Sequence, residues 1–197
     1  MLKRFSHIAL REKTANLCEN IFAIKADEVI DPTLMLSPED YDKVIGGTKS
    51  DISFPYLLTY TLDMSKDKEN AIKYIAEKLK LRIINIPNPE ERDRRTCEMD
   101  YLENVTPEMF LYLYKHASFV VTDSYHGTCF AVKFNKQFIS FVNNFRGSLR
   151  YRIFDRLKLN NRIFSDPQHI FSSPDIMKPI DFTEANNLLE KWGGVCN

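Results

Sequence analysis

Apolar positions along this chain recur at two spacings in turn, one suited to strands and one to helices. His7-Ile8-Ala9-Leu10 reads as a short strand, and residues 12–22 carry helical spacing through Ala15, Cys18, Ile21 and Phe22. Val29-Ile30 runs into a turn, Asp31-Pro32-Thr33, after which Ser37 caps a short helix over 38–45. A strand rich in Tyr, Leu and Thr covers 54–62. Ser65 then caps a long amphipathic helix with Ala71, Ile72, Ile75, Ala76 and Leu79 on one face. Residues 82–86 form a strand stopped by Pro87-Asn88-Pro89, and the charged, aperiodic stretch 90–105 reads as a surface loop.

Thr106 caps the next helix, with Pro107 at its first position and Met109, Phe110, Leu113 and Tyr114 as its apolar face. A buried strand over 119–122, a helix over 127–134 and a strand over 137–142 follow. Residues 149–159 are helical, and a last amphipathic helix over 183–192 is capped by Thr183 and stopped by Gly193-Gly194. Strands alternating with helices at this spacing predict an α/β fold: a doubly wound parallel sheet in a single Rossmann-like domain.

Composition changes this picture little. With 197 residues, 44% of them hydrophobic, one good core is within reach. Balanced charge, 27 basic against 27 acidic residues, argues against a large nucleic-acid footprint. The apolar runs are too short to span a bilayer and the N-terminus lacks a signal-peptide core, so a cytoplasmic protein is expected. Cys18, Cys97, Cys129 and Cys196 lack paired spacing, which argues against a zinc site or a disulfide framework. Neither a dinucleotide fingerprint nor a P-loop occurs.

The chemistry concentrates at Thr122-Asp123-Ser124-Tyr125-His126-Gly127-Thr128, between the strand at 119–122 and the helix after it. A strand that turns directly into a helix leaves amide N–H groups at the positive end of the helix dipole, suited to phosphate or carboxylate. Gly127 would let a ligand approach the backbone. Ser124, Gly127 and Thr128 are candidate N–H or hydroxyl donors to the phosphate. Asp123 reads first as the helix cap and second as a group orienting an imidazole. Glu69 and Glu77 read as the solvated face of their helix, Glu108 as a first-turn charge, and Lys136 as a turn residue on the opposite edge. His7, His116 and His169 read as structural or surface residues.

Four blocks in this order resemble the polysaccharide pyruvyl transferase family: Ile8-Ala9-Leu10-Arg11-Glu12-Lys13, Val29-Ile30-Asp31-Pro32-Thr33-Leu34, Pro107-Glu108-Met109-Phe110-Leu111, and Val120 through Thr128. Residues 134–139 and 146–159 resemble it too, and the likeness spans roughly residues 5–165. The chain departs from the family pattern at Val105-Thr106-Pro107, where a glycine often precedes the proline. The resemblance implies one half of a GT-B-like enzyme. Members are considerably longer, with the Arg-Glu-Lys motif near their middle, whereas here it begins at residue 11. Residues 1–197 therefore resemble the C-terminal domain alone, which leaves an N-terminal half or a homo-oligomer as candidate partner.

Known members transfer the enolpyruvyl unit of phosphoenolpyruvate to a sugar hydroxyl pair, giving a pyruvate ketal on a surface glycan. The resemblance thus implies a small-molecule donor, a glycan-precursor acceptor and no further cofactor or metal. His126 suits proton transfer, or cationic hydrogen bonding to a bound phosphate. Arg11, at the end of the first strand, suits an anion clamp. Arg146, just beyond the strand at 137–142, is the expected second anion contact, with Arg150 and Arg152 as competitors. Two other functions stay open: a GT-B glycosyltransferase using a nucleotide-sugar, and a catalytically silent anion-binding fragment.

Overall fold

The computed structural model describes residues 4–11, 14–88, 98–143 and 151–193. Six strands form one all-parallel sheet: β3 (Tyr56–Tyr60), β4 (Arg82–Asn85), β5 (Asp100–Tyr101), β6 (Phe119–Thr122), β7 (Phe138–Phe141) and β8 (Ile163–Phe164), in the spatial order β5-β4-β3-β6-β7-β8. The chain starts in the middle, winds outward through β4 and β5, then crosses back to β6 and winds the other way. This is the doubly wound order in which the two halves part between the first and fourth strands, here β3 and β6. Their register, Leu57 beside Phe119 through Tyr60 beside Thr122, ends both strands at one level.

Both faces of the sheet are covered, as an all-parallel sheet requires. On one face Ala71, Ile72, Ile75 and Ala76 of α4 (Lys66–Leu79) pack on Leu57, Ile83, Phe119, Val121 and Ile139. On the other, Leu58, Ile84, Val120 and Phe138 meet α5 (Pro107–His116), α6 (Tyr125–Lys133), α7 (Arg152–Arg156) and α8 (Thr183–Gly193). The caps read from sequence at Ser37, Ser65 and Thr106 each accept the expected backbone N–H. Ser37 forms a full capping box with Asp40 on α3 (Pro38–Ile45).

A second, separate sheet consists of two parallel three-residue strands, β1 (Ala9–Arg11) and β2 (Asp27–Val29), joined by α1 (Thr14–Phe22). None of its six residues is fully buried. The chain leaves β2 through Ile30 into α2 (Pro32–Met35), whose Leu34 is wholly buried in the large core and which packs on α6 and α8. Through α2 the small sheet is docked beside the N-terminal end of α6.

Several expectations are revised. β5 lies in the stretch that reads from sequence as a surface loop, and β8 is a strand the spacing does not predict. Thr183 begins α8 rather than capping it, because its N–H is taken by the Asp181 carboxylate at 2.9 Å. Glu69 does not belong to a solvated face. It is buried, held by Lys66 at 3.2 Å and Lys73 at 2.6 Å, whereas Glu77 is exposed as expected. His116 rests on Tyr112, its Nδ1 at 2.8 Å from the Tyr112 carbonyl. Among the described residues no helix is long and apolar enough to cross a membrane.

Candidate active site

The segment that carries the motif is mostly interior. α6 begins at Tyr125, two residues earlier than its apolar spacing suggests, so His126 lies in the first helical turn at the carboxyl edge of the sheet. The cap is Ser124, whose Oγ accepts the Gly127 N–H at 3.2 Å. Asp123 is therefore not the cap, and it has a different task. Its carboxylate, wholly buried, accepts the Leu62 N–H at 2.5 Å, the Asp63 N–H at 3.2 Å and the Lys68 ammonium at 2.7 Å. It ties the turn after β3 to the end of β6, across the point where the two halves of the sheet part.

Gly127 faces inward as well. A Cβ there would sit 2.6 Å from both Thr122 Oγ1 and Tyr114 Oη, so the residue is small because α6 lies tight on β6. Thr128 is wholly buried. Its hydroxyl donates to the Ser124 carbonyl at 3.0 Å and pairs with the Ser140 hydroxyl at 2.7 Å, fastening α6 to β7. Of the motif, His126 reaches the surface with half its side chain exposed.

What His126 meets there comes from the small sheet. Arg11, the last residue of β1, lies in register with Val29 at the end of β2, two residues before Asp31. Asp31 is buried and caps α2, its Oδ1 accepting the Thr33 N–H at 2.9 Å. Its other oxygen, Oδ2, is shared: Arg11 Nη1 donates to it, and His126 Nε2 lies 3.6 Å away. Burial alone would raise the Asp31 pKa. Contacts from His126, Thr33 and Arg11 outweigh it and hold the carboxyl well below its usual range. Arg11 and His126 thus converge on one buried carboxylate although 115 positions separate them. With Ala9, Val29, Pro32 and Met35 they line an open groove of about 590 Å³.

Arg146 and Arg150 lie outside the described residues; Arg152 is exposed on α7. Asp31 was read from sequence as part of a turn. The signal that could have singled it out is that Asp-Pro-Thr follows a strand end, as Asp-Ser-Tyr-His does after β6. Among the described residues no three His, Cys, Asp or Glu side chains gather in a way that could hold a metal ion.

Residues 1–144, which include both halves of this convergence, match the family described as polysaccharide pyruvyl transferase. The chain belongs to that family. No curated protein matches the chain. Among solved structures, it is similar to the UDP-GlcNAc 2-epimerase of Methanocaldococcus jannaschii in complex with UDP-GlcNAc and UDP, with a TM-score of 0.63 and 16% identity. The likeness covers 94% of this chain and 60% of that one, so it concerns the fold, a GT-B-like arrangement. Within that fold, this pyruvyl transferase family member sets its part-exposed arginine and its exposed histidine where the end of the small sheet meets the start of α6.

Proposed function

We propose that this chain carries the donor-anion and proton-transfer site of a pyruvyl transferase that uses phosphoenolpyruvate and forms a ketal on a sugar. The observation that carries this reading is the convergence of Arg11 and His126 on Asp31 at the rim of one groove. A cationic fork and a histidine, side by side and part-exposed, are what an anionic enol ester needs. In the reaction proposed, Arg11 holds the carboxylate or phosphate of the donor. His126 delivers a proton to the methylene carbon, which becomes the methyl group. One sugar hydroxyl adds to the adjacent carbon and returns a proton to His126, the C–O bond to phosphate breaks, and a second hydroxyl closes the ketal, its proton leaving with the phosphate. Two C–O bonds form, one breaks, and inorganic phosphate leaves.

A nucleotide-sugar reading draws on the likeness to the epimerase fold. Against it stands Asp123, whose carboxylate already takes the Leu62 and Asp63 amides and the Lys68 ammonium at the parting of the sheet. Those are the donors a nucleotide phosphate would use on the α4 side. Calorimetric titration separates the readings. Phosphoenolpyruvate should bind the chain and UDP should not, and Arg11→Met and His126→Ala should each weaken phosphoenolpyruvate binding by roughly tenfold, the scale of one charge-assisted hydrogen bond. Binding of UDP alone would move the protein to the nucleotide-sugar class.

A further inference from the structure

We propose that Asp31 is a positioning residue that fixes the neutral His126 ring as its Nε2–H tautomer and holds Arg11 beside it, so that the site exchanges its proton through Nδ1. The proposal rests on the reading of Arg11 and His126 as the donor-anion site and adds a direction to it.

An ionised carboxylate has no proton to give, so any nitrogen hydrogen-bonded to it must carry one. Asp31 is placed to stay ionised: its side chain is only 2% exposed and it is met by the Arg11 guanidinium, the Thr33 N–H and the imidazole. Its pKa is held low by the same groups, against the effect of burial. The imidazole nitrogen turned toward it is Nε2; a lone pair there would face the carboxylate's charge even before the contact closes, so Nε2 carries the proton and one nitrogen is left to exchange its own. That nitrogen is Nδ1.

The distance is consistent with this role. At 3.6 Å the contact is longer than a hydrogen bond. Catalytic hydrogen bonds are often long outside the substrate complex and close within it. Asp31 itself has little freedom, since its Oδ1 caps α2 and α2 is pinned through Leu34 to the core under α6. The imidazole, half exposed, is the partner that can rotate to close the gap. An anion drawn in by Arg11 would do so by fixing the ring from its other side.

A carboxylate beside an anion groove has a further consequence, and it supplies a test by sign. On charge alone, Asp31→Asn removes a repulsion and should tighten anion binding. If Asp31 positions Arg11 and His126, the same change should weaken binding despite the lost repulsion.

The experiment uses the full chain. Side-chain ¹⁵N spectra of wild type and Asp31→Asn are recorded at a pH where the ring is neutral, with His126→Gln identifying its resonances among the four histidines. Wild type is expected to show Nε2–H, and Asp31→Asn a mixture with a clear Nδ1–H population. Nδ1–H in wild type, or one unchanged tautomer in both, overturns the proposal. Inorganic phosphate and phosphoenolpyruvate are then titrated into both proteins. Asp31→Asn is expected to bind roughly tenfold more weakly, and equal or tighter binding overturns the positioning of Arg11. If wild type binds neither anion the donor reading fails, while the tautomer still decides this proposal. If Asp31→Asn does not fold, Asp31→Ser, which keeps a capping oxygen for α2 but no charge, takes its place in both measurements.

Discussion

A methyl group on Gly127 would arrive 2.6 Å from two oxygens that cannot move away. Thr122 Oγ1 is committed to the Tyr60 carbonyl at 2.5 Å, and Tyr114 is wholly buried. Alanine is the better helix former by about 1 kcal/mol, but overpacking costs about 1–3 kcal/mol and more where the neighbours are fixed. Gly127→Ala should therefore lower stability by about 1–3 kcal/mol in urea denaturation. From sequence the glycine reads as room for a ligand, and in the fold it is room for a β-strand. Asp31 sets a second prediction at this scale. Its folded pKa lies below the unfolded value of about 3.9, so its ionised form contributes stability above about pH 5. That contribution is lost as the pH falls past the unfolded value and through the folded one. The stability gap between wild type and Asp31→Asn should narrow below about pH 4. Urea midpoints on either side of that pH measure it, and a gap that widens in acid would contradict the assignment.

At the scale of elements, legibility followed the strength of the local signal. Ser37, Ser65 and Thr106 mark helix starts by a hydroxyl and, in two cases, a following proline, and each cap is where it was read. Phe119–Thr122 reads Phe-Val-Val-Thr, a β-branched and aromatic run that suits a strand covered on both faces, and all four residues are buried. α6 began two residues early because Tyr125 and His126 lack the apolar spacing that marks a helix, although Ser124 is a good cap. β5 and β8, two residues each, carry too little pattern to be read. β8 also owes its place to its neighbourhood: the buried Arg162 donates to the carbonyls of Asp175, Ile176 and Lys178 and gathers the 160–178 stretch around it. Asp123 shows the limit most clearly. Its three donors lie 55 to 61 positions away, and no local rule finds partners that the topology supplies.

Across the whole molecule, the site joins two bodies of unequal strength. The six-stranded sheet has two covered faces and a core of wholly buried Leu57, Leu58, Val120, Val121, Phe138 and Ile139. The β1–β2 sheet has three-residue strands and no fully buried residue, and α1 exposes Ile21 and Phe22. The contacts that hold it include Arg11 on Asp31, Ile30 packed on the large core, the exposed Arg156–Glu28 pair at 2.8 Å with Arg156 stacked on Trp192, and the covalent lead into α2. The Arg156–Glu28 pair is exposed and is worth about 0–1 kcal/mol, whereas the Arg11–Asp31 pair is exposed on the arginine side only. The small sheet should therefore open on its own, well below the free energy of global unfolding. In hydrogen exchange, amides of β1, α1 and β2 should exchange far faster than those of β3, β6 and β7. An anion that bridges Arg11 and His126 binds only the closed arrangement, so it should protect the weak body selectively. At a hundredfold excess over Kd the gain is about 2.7 kcal/mol, roughly a hundredfold slowing of exchange in β1, α1 and β2 with little change in β6 or β7. Phosphate or phosphoenolpyruvate that slowed exchange evenly across both sheets, or left β1, α1 and β2 unchanged at saturation, would place the anion elsewhere than between Arg11 and His126.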